Sequence, residues 1–342
     1  MVAQDEAING IVEVYQSFLL GMGPRQRPQG SFLFLGPTGT GKTRLAEAVA
    51  ESLIGEAKAL IKINCGEFQH GHEVAKLTGS PPGYFGHRDT APMLSQDALD
   101  RFHTEKVKLS FVLFDEIEKA NSALWNLLLG ILDRGTLTLG DNRLVDFSRT
   151  MIFLTGNVGA FEMAREAMPS FGLNPSQGST KTLRSTALGA ARRRFSPEFL
   201  NRIDKIVVFQ SLAEAELRMV LGLELKAIEE RLNEHTRFLF SLTEDATDYV
   251  LREGTDSRYG ARHLKRTLQR SVLNPLCNLL ATSQVHAGDH IRIDRAEEGG
   301  PLSFYRVAEG LEFADALAKP VAIPPIAERA MAPVAAGAWW CF

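Results

Sequence analysis

The chain has 342 residues, 44% hydrophobic and 23% charged, with a formal net charge of −3 at pH 7. That is enough apolar material for one large or two ordinary globular domains, and so balanced a charge gives no global attraction to nucleic acid or to an anionic membrane. Three scattered cysteines exclude a disulfide scaffold, Met1 to Glu6 lacks the basic residues of a signal-peptide start, and no apolar run reaches the roughly 18 residues of a membrane span, so a cytoplasmic location is expected.

In chain order, residues 7–20 carry apolar side chains at helical spacing, and a Gly/Pro-rich loop over 21–30 follows. The continuous apolar run 32–35 predicts a buried strand. It leads directly into Gly36-Pro37-Thr38-Gly39-Thr40-Gly41-Lys42-Thr43, and a helical pattern begins at Arg44. Strand, glycine-rich turn and helix start in that order are the setting of a P-loop. Glycines let backbone N–H groups turn inward around phosphate oxygens, and the helix N-terminus adds its positive dipole end. Lys42 is then expected to reach the terminal phosphates of ATP and the Thr43 hydroxyl to coordinate Mg²⁺.

Residues 59–64 form a second predicted strand and 109–114 a third, which ends in Asp115-Glu116. Ligands of open α/β sheets lie beyond the carboxyl ends of the strands, so both carboxylates are expected near the phosphates. Asp115 would complete the Mg²⁺ shell, and Glu116 would orient and deprotonate the attacking water. A fourth strand over 151–155 ends in Gly156-Asn157, where Asn157 could hold the same water from its other side; an Asn after a strand is also a common turn former. Strands alternating with helices imply right-handed crossovers and a parallel sheet.

A final strand of this series is expected at 206–209. Residues 212–235 then show helical periodicity, another helix is expected over 261–281, and a short strand over 290–294 is expected to pair near 304–307. From residue 314 onward Ala and Pro dominate with little periodicity, as in a flexible tail, although the chain ends in aromatic residues. The expected organisation is an ATPase domain over 1–210, a smaller helical domain over 211–296, and a short strand plus tail over 297–342.

Together these motifs resemble an AAA+ ATPase, and closely the second ATPase domain of the Clp family of protein unfoldases. The most specific stretches run from Leu77 to Gly86 (with Pro81-Pro82-Gly83-Tyr84-Phe85-Gly86), from Asp115 to Ala120, from Phe195 to Asp204, and over Gly260-Ala261-Arg262. The resemblance implies an α/β fold, a P-loop AAA+ parallel-sheet domain followed by a smaller, mainly helical lid domain. It also implies that Gly83, Tyr84, Phe85 and Gly86 form a loop that grips unfolded polypeptide in the pore of a homo-hexamer, a role suited to an aromatic side chain flanked by glycines. Residues 133–146 resemble a second pore loop. Arg202 resembles the arginine finger given to ATP bound by the neighbouring subunit, and Arg262 the second sensor of the γ-phosphate. Without those resemblances, Arg202 would pair with Glu198 one turn back, and Arg262 would belong to a solvated basic face with Arg258, Lys265 and Arg266.

Phe171-Gly172-Leu173 is similar to the tripeptide with which some Clp members dock on a peptidase ring, and equally to a simple hydrophobic tuck. A single ring is expected to depend on an adaptor. Two further readings are a nucleic-acid motor, supported only by Arg192-Arg193-Arg194 and the basic residues near Arg262, and a nucleotide-switched component of a larger assembly, docked through its tail.

Overall fold

The computed structural model describes residues 2–80, 91–160, 162–163, 180–235, 238–255, 260–295 and 300–308. The expected gripping loop (Gly83, Tyr84, Phe85, Gly86), Phe171-Gly172-Leu173 and the tail lie outside the described residues. The chain divides into two compact units, with the change at Ser211 and Leu212.

The first unit contains α1 (Asp5–Leu19), β1 (Gly30–Leu35), α2 (Lys42–Ile54), β2 (Leu60–Asn64), α3 (Ala75–Thr78), α4 (Gln96–Asp100), β3 (Ser110–Asp115) and α5 (Ser122–Arg134). It continues with β4 (Thr136–Thr138), β5 (Leu144–Asp146), β6 (Thr150–Gly156), α6 (Thr180–Arg194), α7 (Pro197–Asn201) and β7 (Lys205–Val208). Five of the strands form one sheet in the order β2-β3-β6-β1-β7, all parallel. Every residue of β1 and β6 is buried, which is why these strands read as unbroken apolar runs: helices cover both faces. On one face Phe32, Phe34, Phe111 and Phe153 pack with Phe209, Ala7, Ile11, Leu45 and Ala46. Phe153 is the centre of this layer, with ring centroids 5.6 Å from Phe32 and 5.8 Å from Phe34. The other face buries Leu33, Leu35, Val112, Phe114, Ile152 and Leu154 against Leu124, Leu128 and Ile131 of α5.

Strand order positions the site. β6 lies between β1 and β3, so its C-terminal residues emerge between the glycine-rich loop and Asp115. Within the segment over 133–146, Asp133 and Arg134 end α5 and the rest is a small hairpin, in which β4 and β5 pair antiparallel with Leu137 opposite Val145. Gly135, in the left-handed conformation at φ +60°, ends α5 and starts that hairpin.

The second unit contains α8 (Glu214–His235), β8 (Leu239–Leu242), α9 (Glu244–Gly254), α10 (Ala261–Leu268), α11 (Asn274–Ala281), β9 (His290–Arg295) and β10 (Leu302–Ala308). β9 pairs in parallel with β8 and antiparallel with β10, in the order β10-β9-β8. A core of Leu217, Leu221, Val250, Leu264, Leu268, Val272, Leu276 and Ile291 joins helices to sheet. Two elements here were not anticipated, β8 and α9. The single helix expected over 261–281 is instead α10 and α11 joined by a π-turn over Gln269–Leu273. Pro275 explains the change, since it has no N–H to continue the α-helical ladder back to the preceding turn. Among the described residues no helix is long and apolar enough to cross a membrane.

Candidate nucleotide site

The glycine-rich loop leaves β1 at Gly36 and enters α2 at Lys42. Gly36, Gly39 and Gly41 have φ of +142°, +80° and +97°. At Gly36 a Cβ would lie 2.4 Å from the carbonyl oxygen of Phe209, so only glycine lets the strand end pass that backbone. Among the described residues no side chain caps the first turn of α2 at Gly41, and a helix N-terminus of this kind presents backbone N–H groups suited to an anion. Gln4, buried near the chain start, donates from Nε2 to the Thr40 carbonyl at 3.4 Å and ties the loop to the N-terminal segment.

Lys42 is only 7% exposed, and a charge that buried must be satisfied. Its Nζ donates to the Gly36 and Pro37 carbonyls, each at 2.7 Å, and to Asn157 Oδ1 at 3.0 Å. Thr43 Oγ1 donates to Asp115 Oδ1 at 3.1 Å, so the two residues expected to share a Mg²⁺ ion are already adjacent. Lys62 and Glu47 extend this group: Lys62 Nζ is 3.7 Å from Asp115 Oδ2 and 3.6 Å from Glu47 Oε1. Hydroxyl and carboxylate oxygens are hard donors, the set that Mg²⁺ takes, and a glycine-lined loop leading into a helix N-terminus suits a phosphate chain. The residues present therefore fit ATP and Mg²⁺.

Thr155, at the end of β6, joins the two carboxylates. Its hydroxyl donates to Asp115 Oδ1 at 2.5 Å and accepts the Glu116 backbone N–H at 3.0 Å. Glu116 itself has φ +59° and ψ +49°, a left-handed conformation that costs a non-glycine residue about 1–2 kcal/mol. That turn carries the Glu116 side chain toward Asn157, whose Nδ2 donates to Glu116 Oε1 at 3.3 Å. Asn157 thus joins Lys42 on one side to Glu116 on the other. Lys119 Nζ lies 2.6 Å from Glu116 Oε2. A third carboxylate, Glu118, accepts the backbone N–H of Asn157 at 3.1 Å, and burial pushes its pKa upward. Burial and the surrounding acids also push the Cys65 thiol up, leaving it a neutral packing residue.

Thr155, Glu118, Lys119, Lys62 and Gln4 were given no role at the site from the sequence. Thr155 had a signal: it is a hydroxyl ending an otherwise apolar strand, at the level where Asp115 ends its neighbour.

Arg202 follows α7, whose N-terminus is capped by Ser196 accepting from the Phe199 N–H at 3.2 Å. Its guanidinium is ion-paired with Asp133 in α5, and not with Glu198, the partner of the alternative reading. Arg262 lies in the second unit, on the exposed side of α10, while Leu264, Thr267 and Leu268 face its core. Lys265 beside it pairs with Glu224 at 3.0 Å.

The family model of the AAA domain (Cdc48 subfamily) matches residues 27–206, and that of the C-terminal, D2-small domain of ClpB protein matches residues 212–293. The chain belongs to the AAA+ ATPases of the Clp family. It is 38% identical over 302 residues to the negative regulator of genetic competence ClpC/MecB of Bacillus subtilis, covering 87% of this chain and 36% of that protein. It is likewise 38% identical over 311 residues to the ATP-dependent Clp protease ATP-binding subunit ClpC of Staphylococcus epidermidis, covering 90% of this chain and 37% of that one. This Clp-family chain therefore spans little more than a third of the length of these relatives. Among solved structures it resembles a closed-state cryo-EM reconstruction of Hsp104 with ATPγS and FITC-casein, with a TM-score of 0.73 and 30% identity over 85% of this chain and 48% of that one. The α/β sheet domain followed by a smaller helical domain is the architecture of this family.

Proposed function

We propose that this chain hydrolyses ATP at the interfaces of a homo-hexamer and uses the energy to thread polypeptides through the ring. The observation that carries the hydrolytic part is the position of Asn157, hydrogen-bonded at once to Lys42 in the phosphate loop and to Glu116. Magnesium-bound ATP supplies the phosphoanhydride whose cleavage releases the energy. The loop amides and Lys42 hold the phosphate chain, and Thr43 with Asp115 holds the metal. Glu116, steered by its left-handed backbone and by Asn157, takes the proton of the attacking water at its carboxylate. Arg202 acts on the neighbour's nucleotide, where a guanidinium in this role accelerates related reactions by about 10³–10⁵. Arg262 senses the nucleotide from the second unit.

Similarity to ClpC and to Hsp104 over both units supports the mechanical part of this reading, as does the solved Hsp104 assembly, which contains casein. The polypeptide is gripped by Tyr84 between Gly83 and Phe85-Gly86. Clients are presented by an adaptor, a Clp-type peptidase docks at Phe171-Gly172-Leu173, and the assembly works in the cytoplasm. Part of the basic run behind the nucleic-acid alternative is engaged within the fold: Arg193 pairs with Glu162 at 3.4 Å and Arg194 with the Glu118 carbonyl at 3.0 Å.

Tyr84→Ala tests the reading. It should leave ATP turnover intact and abolish unfolding of a tagged folded protein. Retained unfolding refutes the gripping role, and stimulation of turnover by DNA but not by unfolded protein would favour the nucleic-acid motor.

A further inference from the structure

We infer that Glu118 is a positioning residue for hydrolysis, acting through the main chain of Asn157. This rests on the role proposed above for Asn157 and Glu116. Glu118 lies on the 3₁₀ turn Ile117–Lys119 that follows the two β3 carboxylates. One of its oxygens accepts the Asn157 N–H at 3.1 Å, while Oε2 is buried with no hydrogen-bond partner among the described residues. A solvated surface acid would not give up water for a single backbone contact, because an unmet buried carboxylate oxygen is costly. Gly156 makes room for it, since a Cβ at that position would lie 3.3 Å from Oε2.

The turn that carries Glu118 is held from behind. Its own carbonyl accepts from Arg194 Nε at 3.0 Å, and the Arg194 guanidinium lies over the Trp125 ring at 4.8 Å from the centroid. Trp125 Nε1 in turn donates to the Ile117 carbonyl at 3.1 Å. With the main chain on both sides of its Cα fixed, Glu118 has little freedom except to hold Asn157. The Asn157 side chain, with its contacts to Lys42 and Glu116, is then set by a carboxylate that holds the Asn157 main chain. The acceptor geometry, not the charge, performs this task, so an uncharged isostere should suffice.

The test compares Glu118→Ala with Glu118→Gln in the full chain, each with and without Asn157→Ala. Loss of a hydrogen bond of this type is expected to lower kcat about tenfold in Glu118→Ala, with the Kd for a fluorescent ADP unchanged within about twofold. Glu118→Gln should remain within about twofold of the parent chain. The double variant Glu118→Ala/Asn157→Ala should be no slower than Asn157→Ala alone, because the two residues act in series. In a Glu116→Gln background, Glu118→Ala should weaken ATP binding more than ADP binding. Parent-like turnover in Glu118→Ala, equal losses in the Ala and Gln variants, or additive losses in the double variant would each overturn the inference. If Glu118→Ala does not fold, Glu118→Met replaces it, and equal turnover in the Met and Gln variants overturns the inference. Undiminished turnover in Asn157→Ala alone would instead refute the site reading beneath it.

Discussion

Arg202 is held by Asp133 from a different helix, so the proposed finger is anchored to the end of α5 just before the β4–β5 hairpin. Both side chains are part-exposed, and a pair of that kind contributes about 0–1 kcal/mol. Asp133→Ala should therefore shift the urea midpoint only slightly. Arg202→Ala should lower turnover about 10³-fold or more, with ADP binding retained. Mixing Arg202→Ala with Glu116→Gln should restore ATPase activity, because some interfaces then combine an intact finger with an intact base. No recovery at any mixing ratio would show that Arg202 does not act between subunits.

Gly36→Ala should be more damaging than its size implies. Its Cβ would meet the Phe209 carbonyl at 2.4 Å, and its φ of +142° is strained for alanine. Because Phe209 N–H also donates to the Leu35 carbonyl at 2.7 Å, the two segments cannot separate without losing a backbone hydrogen bond. Nucleotide affinity should fall at least about tenfold together with thermal stability. A variant with normal affinity for fluorescent ADP would mean that the loop adapts around the added carbon.

Thr155→Val preserves shape but removes the hydroxyl that joins Asp115 to the Glu116 N–H. At a position only 1% exposed, leaving that N–H unpaired should cost about 1–3 kcal/mol. Thr155→Ser should keep both hydrogen bonds and most of the stability. Chemical denaturation of the two variants checks this, and equal midpoints would exclude the bridging role.

Asp204 fastens the chain after Arg202 to β1. Its Oδ2 accepts from both the Ser31 N–H at 2.8 Å and the Ser31 hydroxyl at 2.7 Å. Asp204→Ala would leave a buried strand N–H without its acceptor and should destabilise the first unit by about 1–3 kcal/mol. Asp204→Asn, which keeps one acceptor, should lose less. A calorimetric melt that is unchanged in Asp204→Ala would show that Ser31 finds another partner.

β1, β3 and β6 were legible because parallel strands covered on both faces need apolar side chains at nearly every position, as in 32–35 and 151–155. β8 and α9 were not. Leu239–Leu242 is short and mostly half-buried, and α9 buries only Ala246, Val250, Leu251 and Gly254 among many charges. A local signal did exist at Thr243, whose hydroxyl caps α9 by accepting the Ala246 N–H at 3.3 Å.

By itself the order of residues determined the phosphate loop, since strand, glycines, lysine and helix start are contiguous and their chemistry is local. It likewise determined that Asp115 and Glu116 end a buried strand. Only the tertiary structure decided which strands are neighbours. Insertion of β6 between β1 and β3 brings Thr155 against Asp115 and Glu116, and Asn157 between Glu116 and Lys42, the latter more than a hundred residues of chain away from it. Local patterns record which face of a strand is buried, but the pairing of parallel strands depends on crossovers whose contacts are distant in sequence.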